Sequence, residues 1–245
     1  TDAIGRPWAD KLSQAFGQQF VVENRGGAGG MIGAEAAAKS PPDGYTLFLT
    51  PNAPLSVLPS LRKTPYDPVK SFEPVGRVGD VINGFVIHPS VGVKTFKEMI
   101  EYAKKNPGKL SACTTGILSD DHLAILMLQE AAKCEFRIVH FDGGAQQLTG
   151  VLGGHVDVAF DNVGSVFKRV GTGEIRGLAV TDTERSKFLP QIPTTKELGF
   201  ATVISNSTRG VGAPKGTPAD ICKVVETAFL KAINSAEMKQ KMDAV

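Results

Sequence analysis

The residues of this chain that could do chemistry are scattered rather than grouped. Four histidines, His88, His122, His140 and His155, form no H-E-x-x-H motif and no i, i+4 pair, so they do not read as a zinc site. Cys113 closes a predicted strand and has a nucleophile's chemistry. No motif accompanies it, and a small buried thiol is the simpler reading. No G-x-S-x-G elbow is present. The one Gly-Lys step, Gly108-Lys109, is followed by Leu110, where a P-loop needs Ser or Thr. The run Gly26-Gly27-Ala28-Gly29-Gly30 invites a dinucleotide fingerprint, but from Gly27 the third glycine position holds Ile32. Asp43 stands near the expected acidic position, yet on a proline turn. This loop reads as a tight strand-to-helix turn whose free N–H groups favour an anion.

What the chain does hold is a set of small-residue loops after predicted strands, at residues 50–54, 114–119, 142–145 and 161–165. In open α/β sheets ligands bind at those carboxyl ends. Backbone N–H groups and hydroxyls there suit a carboxylate. With no catalytic constellation, no metal ligands and no cofactor motif, the pattern is that of a receptor rather than an enzyme.

The elements that position these loops follow from periodicity and punctuation. Short β-type runs alternate with amphipathic helices, which predicts an α/β protein with mostly parallel strands. A helix is expected over 3–16, with Ile4, Trp8, Leu12, Ala15 and Phe16 on one face. Pro7 fits it only in the first turn. Strands are expected at 20–22, 45–49, 75–78, 85–88, 110–113, 137–141, 156–160 and 177–180. An alanine-rich helix should run to about Lys39, and a proline-punctuated loop from 51 to 68. Thr95 and Glu98 form a capping box before the stripe Phe96, Met99, Ile100 and Ala103. Ser119 should cap a helix with Leu123, Leu126, Met127 and Glu130 at helical spacing. Residues 145–152 and 218–242 read as helices, and 210–218 as loop. A parallel α/β unit normally opens on a strand, so a first strand and its glycine-rich turn are expected to precede this sequence.

Composition narrows the function. The 245 residues are 42% hydrophobic, which excludes wholesale disorder. With 27 basic and 25 acidic groups the net charge is +2, no footprint for nucleic acid. No run of eighteen apolar residues predicts a membrane-spanning helix. The 3 cysteines form no CxxC and no disulfide framework. Cys113 and Cys134 fall at opposite ends of one strand–helix unit, which disfavours a bond between them.

Ordered blocks then carry a resemblance. They begin with Val22-Glu23-Asn24-Arg25 through Gly30, Ile32-Gly33-Ala34, and Pro42-Asp43-Gly44-Tyr45-Thr46-Leu47. Lys104 through Lys109 follows, then Ser119-x-x-His122-Leu123, Gly143-Gly144-Ala145, and Leu152-Gly153-Gly154-His155-Val156-Asp157. Phe160-Asp161-Asn162, Leu178-Ala179-Val180-Thr181, Arg185-Ser186, Pro193-Thr194 and Ala213-Pro214-Lys215-Gly216-Thr217-Pro218 complete them. Together they resemble the Bug-type solute receptors of tripartite tricarboxylate transporters, across essentially the whole chain.

That resemblance implies a type II periplasmic-binding-protein fold: two α/β lobes with a ligand cleft and two crossover segments. Lobe one maps to 1–90 plus 212–245, and lobe two to 91–211. It implies a periplasmic chain, its signal peptide removed, that binds a small organic acid and delivers it to the permease subunits of a membrane transporter. The ligand would be a di- or monocarboxylate, an amino acid or an aromatic acid. The chain is expected to be a monomer, with no cofactor and no nucleic-acid partner. A sensory accessory receptor and a Rossmann-type nucleotide-dependent enzyme stay as alternatives. The ligand-binding positions carried over are Thr1, Asp2, Asn52, Ala53, Thr115, Gly116, Ser119, His122, Gly144, Ala145, Asp161 and Arg209. Ser119 reads equally as a helix cap, His122 as a core hydrogen-bonding residue, and Asp161 as an orienter of its loop. Three departures stand out: Asp120 and Asp121 where the family more often has small neutral residues, and Asp142 in place of a common lysine. Arg209, as a solvated hinge charge or as a fork for a second carboxylate, keeps both readings.

Overall fold

The computed structural model describes residues 2–236 and 238. The chain divides into two compact units, Thr1–Asp80 with Thr208–Val245, and Val81–Ser207. The divisions fall inside two strands, where the expected boundaries lay at residues 90 and 211.

In unit 1, α1 (Asp2–Phe16) buries Ile4, Trp8 and Leu12 on the face that the spacing predicts. Pro7 lies past the first turn, against expectation. A proline there removes one helical hydrogen bond, which this helix tolerates. Trp8 stacks on Phe229 of α8 (Ala219–Ile233). The alanine-rich α2 (Met31–Ala38) buries Ala34 and Ala37. β1 (Phe48–Pro51) pairs antiparallel with β7 (Asn206–Pro214), Phe48 opposite Gly212 and Pro51 opposite Arg209. β7 also pairs with β2 (Phe72–Ile87).

Several expectations change here. Residues 20–22 form no strand, because no ladder partner lies beside them among the described residues, and Val21 stays 78% exposed. The strand expected at 45–49 starts at Phe48 and leaves Tyr45 94% exposed. The expected loop 51–68 contains a wide helical turn, Ala53–Val57, and α3 (Leu58–Leu61). The two strands expected at 75–78 and 85–88 are one, β2. Residues 210–214 are strand rather than loop. Their glycines hid it, yet Ser207, Arg209, Val211 and Ala213 are buried at strand period. A Cβ at Gly212 would stand 3.2 Å from the Glu73 carbonyl oxygen, so the glycine permits close strand approach.

In unit 2, β2 continues between two antiparallel partners. Phe85 faces Phe160 of β5 (Val158–Asn162) and Ala179 of β6 (Arg176–Val180). β3 (Ser111–Thr114) runs parallel to β5 and to β4 (Arg137–His140). The strands are therefore mixed, not mostly parallel. α4 (Phe96–Lys105) buries all four predicted residues. Its Thr95 hydroxyl accepts the Glu98 N–H at 3.2 Å, while Glu98 reaches back one residue further than predicted, to the Lys94 N–H at 2.7 Å. Phe85, Phe96 and Phe160 centre the core, with ring centroids 4.7 to 5.7 Å apart.

α5 (Asp120–Ala132) turns a different face inward than its leucines suggest. It buries Asp121, Ala124, Ile125, Leu128 and Ala132 and leaves Leu126 and Met127 exposed. Small Ala124 and Ala132 let the helix seat closely on the sheet, which the larger side chains would hold off. α6 (Gly144–Leu152) matches expectation, and α7 (Val163–Thr172), which the pattern did not reveal, starts directly after β5.

Candidate ligand-binding loops

The segment between β3 and α5 carries three of the expected site residues, Thr115, Gly116 and Ser119, and His122 follows in the first turn of α5. It turns sharply: Gly116 has φ 134° and Leu118 φ 65°, a left-handed backbone that costs a leucine strain. The Leu118 N–H donates to His122 Nδ1 at 2.9 Å, which puts the imidazole proton on Nε2. Burial first, and then the His140 ring, hold the His122 pKa below its ordinary value. The two rings meet edge to face, centroids 4.9 Å apart. His140 Nδ1 lies 2.6 Å from the Thr114 hydroxyl.

Ser119 is the N-cap residue of α5, but its side chain does not cap. Its hydroxyl donates to the Gly116 carbonyl at 2.6 Å instead, pinning the loop on itself. Asp121 takes the capping role through its own turn. Its carboxylate accepts the Thr115 N–H at 2.6 Å, the Thr115 hydroxyl at 3.1 Å and the His122 N–H at 3.0 Å.

Asp161, the next-to-last residue of β5, is half-buried and accepts the Asn162 N–H at 2.6 Å. The Asn162 amide donates to the Asn83 side chain. Gly144 and Ala145 open α6 on an exposed surface. A Cβ at Gly143 or Gly144 would meet nothing within 4 Å, so both leave open space above the helix start. Gln147, 1% exposed, ties these segments together. Its amide donates to the Cys113 carbonyl at 3.0 Å and the Phe160 carbonyl at 2.9 Å. Unit 2 thus brings Thr115, Gly116, Ser119, His122 and Asp161 to the carboxyl ends of two neighbouring strands, with Gly144 and Ala145 on the helix that Gln147 fixes there. Gln147 and His140 were not singled out by sequence. A lone glutamine on a helix gives no signal until the helix face is known.

In unit 1, Thr1 lies outside the described residues. Asp2 accepts from Asn24 at 2.6 Å and from Arg6 at 2.9 Å, and these bonds hold its pKa below the usual value. The Asn52 carbonyl accepts the N–H groups of Leu55 and Ser56, while its buried Oδ1 has no hydrogen-bond partner among the described residues. Ala53 is 2% exposed. Arg209 is buried in β7 opposite Pro51, so it stands beside the Asn52 segment and is not a solvated hinge charge. The structure brings Asn52 and Ala53, which follow the end of β1, beside Arg209 of the neighbouring β7.

Residues 4–244 match a family model described as tripartite tricarboxylate transporter family receptor. The chain belongs to this receptor family. It is 33% identical over 237 residues to the protein BugT of Bordetella pertussis, covering 96% of this chain and 73% of that protein. The solved periplasmic binding protein BugD is 33% identical with a TM-score of 0.95, covering 100% of this chain and 82% of that one. A protein of R. palustris solved with adipate is 32% identical with a TM-score of 0.93, covering 98% and 81%. The mixed α/β fold is accordingly that of periplasmic solute-binding proteins.

Burial pushes the Cys113 thiol up to about 12, which removes the thiolate a nucleophile needs. Among the described residues no three metal-ligating side chains cluster. No described helix is long and apolar enough to cross a membrane.

Proposed function

We propose that this chain is a periplasmic receptor that captures a small organic acid and hands it to the permease subunits of a tripartite tricarboxylate transporter, without catalysing a reaction. The observation that carries this reading is the match of nearly the whole chain to the receptor family. The adipate held by a 32% identical relative supports a carboxylate as the ligand class. The receptor acts as a monomer, one ligand per chain.

The proposed contacts in unit 2 are Thr115, Gly116, Ser119, His122, Gly144, Ala145 and Asp161. His122 offers the N–H of Nε2, and the open backbone at Gly144 admits a ligand group. In unit 1 they are Asp2, Asn52, Ala53 and Arg209, with Thr1 preceding them. The buried Oδ1 of Asn52 supports its place here, since a buried acceptor without a partner is costly until something donates to it.

A thermal-shift screen with mono-, di- and tricarboxylates, amino acids and aromatic acids tests the reading, followed by calorimetry on the best ligand. A ligand at its site raises the melting temperature with concentration, by linkage. Asn52→Ala should then weaken that ligand about two- to tenfold, the range of one neutral hydrogen bond. A panel in which no carboxylate shifts the melting temperature, while a nucleotide does, would overturn the proposal.

A further inference from the structure

The Asp121 carboxylate is 7% exposed and belongs to no contact proposed above. It sits directly beneath Thr115, holding both the N–H and the hydroxyl of that residue at 2.6 and 3.1 Å. The amide nitrogen of buried Gln147, whose two N–H groups serve the carbonyls of Cys113 and Phe160, lies 3.3 Å from it. The carboxylate is therefore held by the loop before its helix and packed against a second helix, not merely held by its own turn.

Two further backbone donors of the loop are also engaged internally. The Gly116 N–H donates to the Thr114 hydroxyl at 3.3 Å, and the Ser119 N–H to the Gly116 carbonyl at 3.3 Å. A ligand carboxylate approaching Thr115 would meet donors already bonded to a fixed anion. The repulsion between two like charges in a partly dry site is strong, and the bonds from Thr115 and from the His122 N–H hold Asp121 in place.

Resting on the receptor reading above, we propose that Asp121 is a specificity-determining residue: it fills the anion position of the Thr115 loop from within the protein. This receptor then selects ligands that present a hydrogen-bond-donating group such as a carboxamide to unit 2, not a second carboxylate. Asp121 leaves only an acceptor at Thr115, so a donor end is favoured and an anionic end is rejected.

The test is calorimetry at pH 8, where Asp121 is ionised, with succinate, glutarate and adipate, each paired with its own monoamide. The wild type should bind the monoamide of its best pair at least fivefold tighter than the dicarboxylate. Asp121→Ser, and the isosteric Asp121→Asn if the serine variant folds poorly, should shift that ratio at least tenfold toward the dicarboxylate. A merely structural role would weaken both ligands alike and leave the ratio unmoved, which overturns the inference while the receptor reading stands. A wild type that prefers the dicarboxylate overturns it as well. Absence of binding by every carboxylate, to wild type and variants alike, overturns the receptor reading and this inference with it.

Discussion

Trp8 lies flat against Phe229, ring centroids 3.8 Å apart and 12° from parallel, both side chains almost wholly buried. The stack joins α1 to α8, from opposite ends of the sequence but within one unit. Removing the phenylalanine ring leaves a cavity facing the indole. Phe229→Ala should cost about 3–5 kcal/mol. Because Trp8 is the sole tryptophan, its fluorescence reports unit 1 directly during denaturant unfolding. An unchanged midpoint would show that the stack does not support the unit.

Gly84 sits in β2 between β5 and β6, and a Cβ there would lie 2.9 Å from the Ala179 carbonyl oxygen. Backbone stands on the crowded side, so neither partner yields cheaply. Gly84→Ala should destabilise by about 1–3 kcal/mol through overpacking. Gly143→Ala, with no atom within 4 Å of its Cβ and an extended backbone, should change stability by less than about 0.5 kcal/mol. Equal melting temperatures for the two variants would refute the steric account.

Burial pushes the Asp121 pKa from its ordinary 3.8 up to about 6, against the hydrogen bonds that favour its charged form. The folded protein thus holds this proton more tightly than the unfolded chain does. The stabilising contribution is complete below about pH 4 and is lost as the pH rises through 6. A difference of about two units corresponds to about 3 kcal/mol. Between pH 4 and pH 7 the stability gap between Asp121→Asn and the wild type should move by about that amount in the variant's favour. Parallel pH profiles from urea unfolding would contradict this.

With its thiol held near 12, Cys113 should resist iodoacetamide in the native protein at pH 8. Cys134 and Cys222, both half-buried, supply the internal comparison. In Cys113→Ser the new hydroxyl can donate to the Val158 carbonyl, 3.3 Å from the present sulfur. Ligand affinity should stay within about twofold of the wild type, well under one hydrogen bond's worth of binding energy. A large loss would place the thiol in the binding chemistry.

Local rules settled a definite part of this protein. The Thr95 cap and the buried stripe of α4 follow from short-range geometry, and they appear where spacing puts them. The ordered motif blocks carried the family and, with it, the fold class. Tertiary structure decided what depends on neighbours. Residues 20–22 have the side chains of a strand, but a strand exists only where another chain segment completes its hydrogen bonds. β7 is hidden by glycines whose purpose, close approach to β2, is visible only once the strands are side by side. α5 could present either of two apolar faces, and the sheet beneath selected the one with alanines. That choice turned Asp121 inward, under Thr115 and against Gln147. The sequence named Asp121 as a departure from its family; only packing made it a buried charge, because burial is a property of the whole fold and not of the residue.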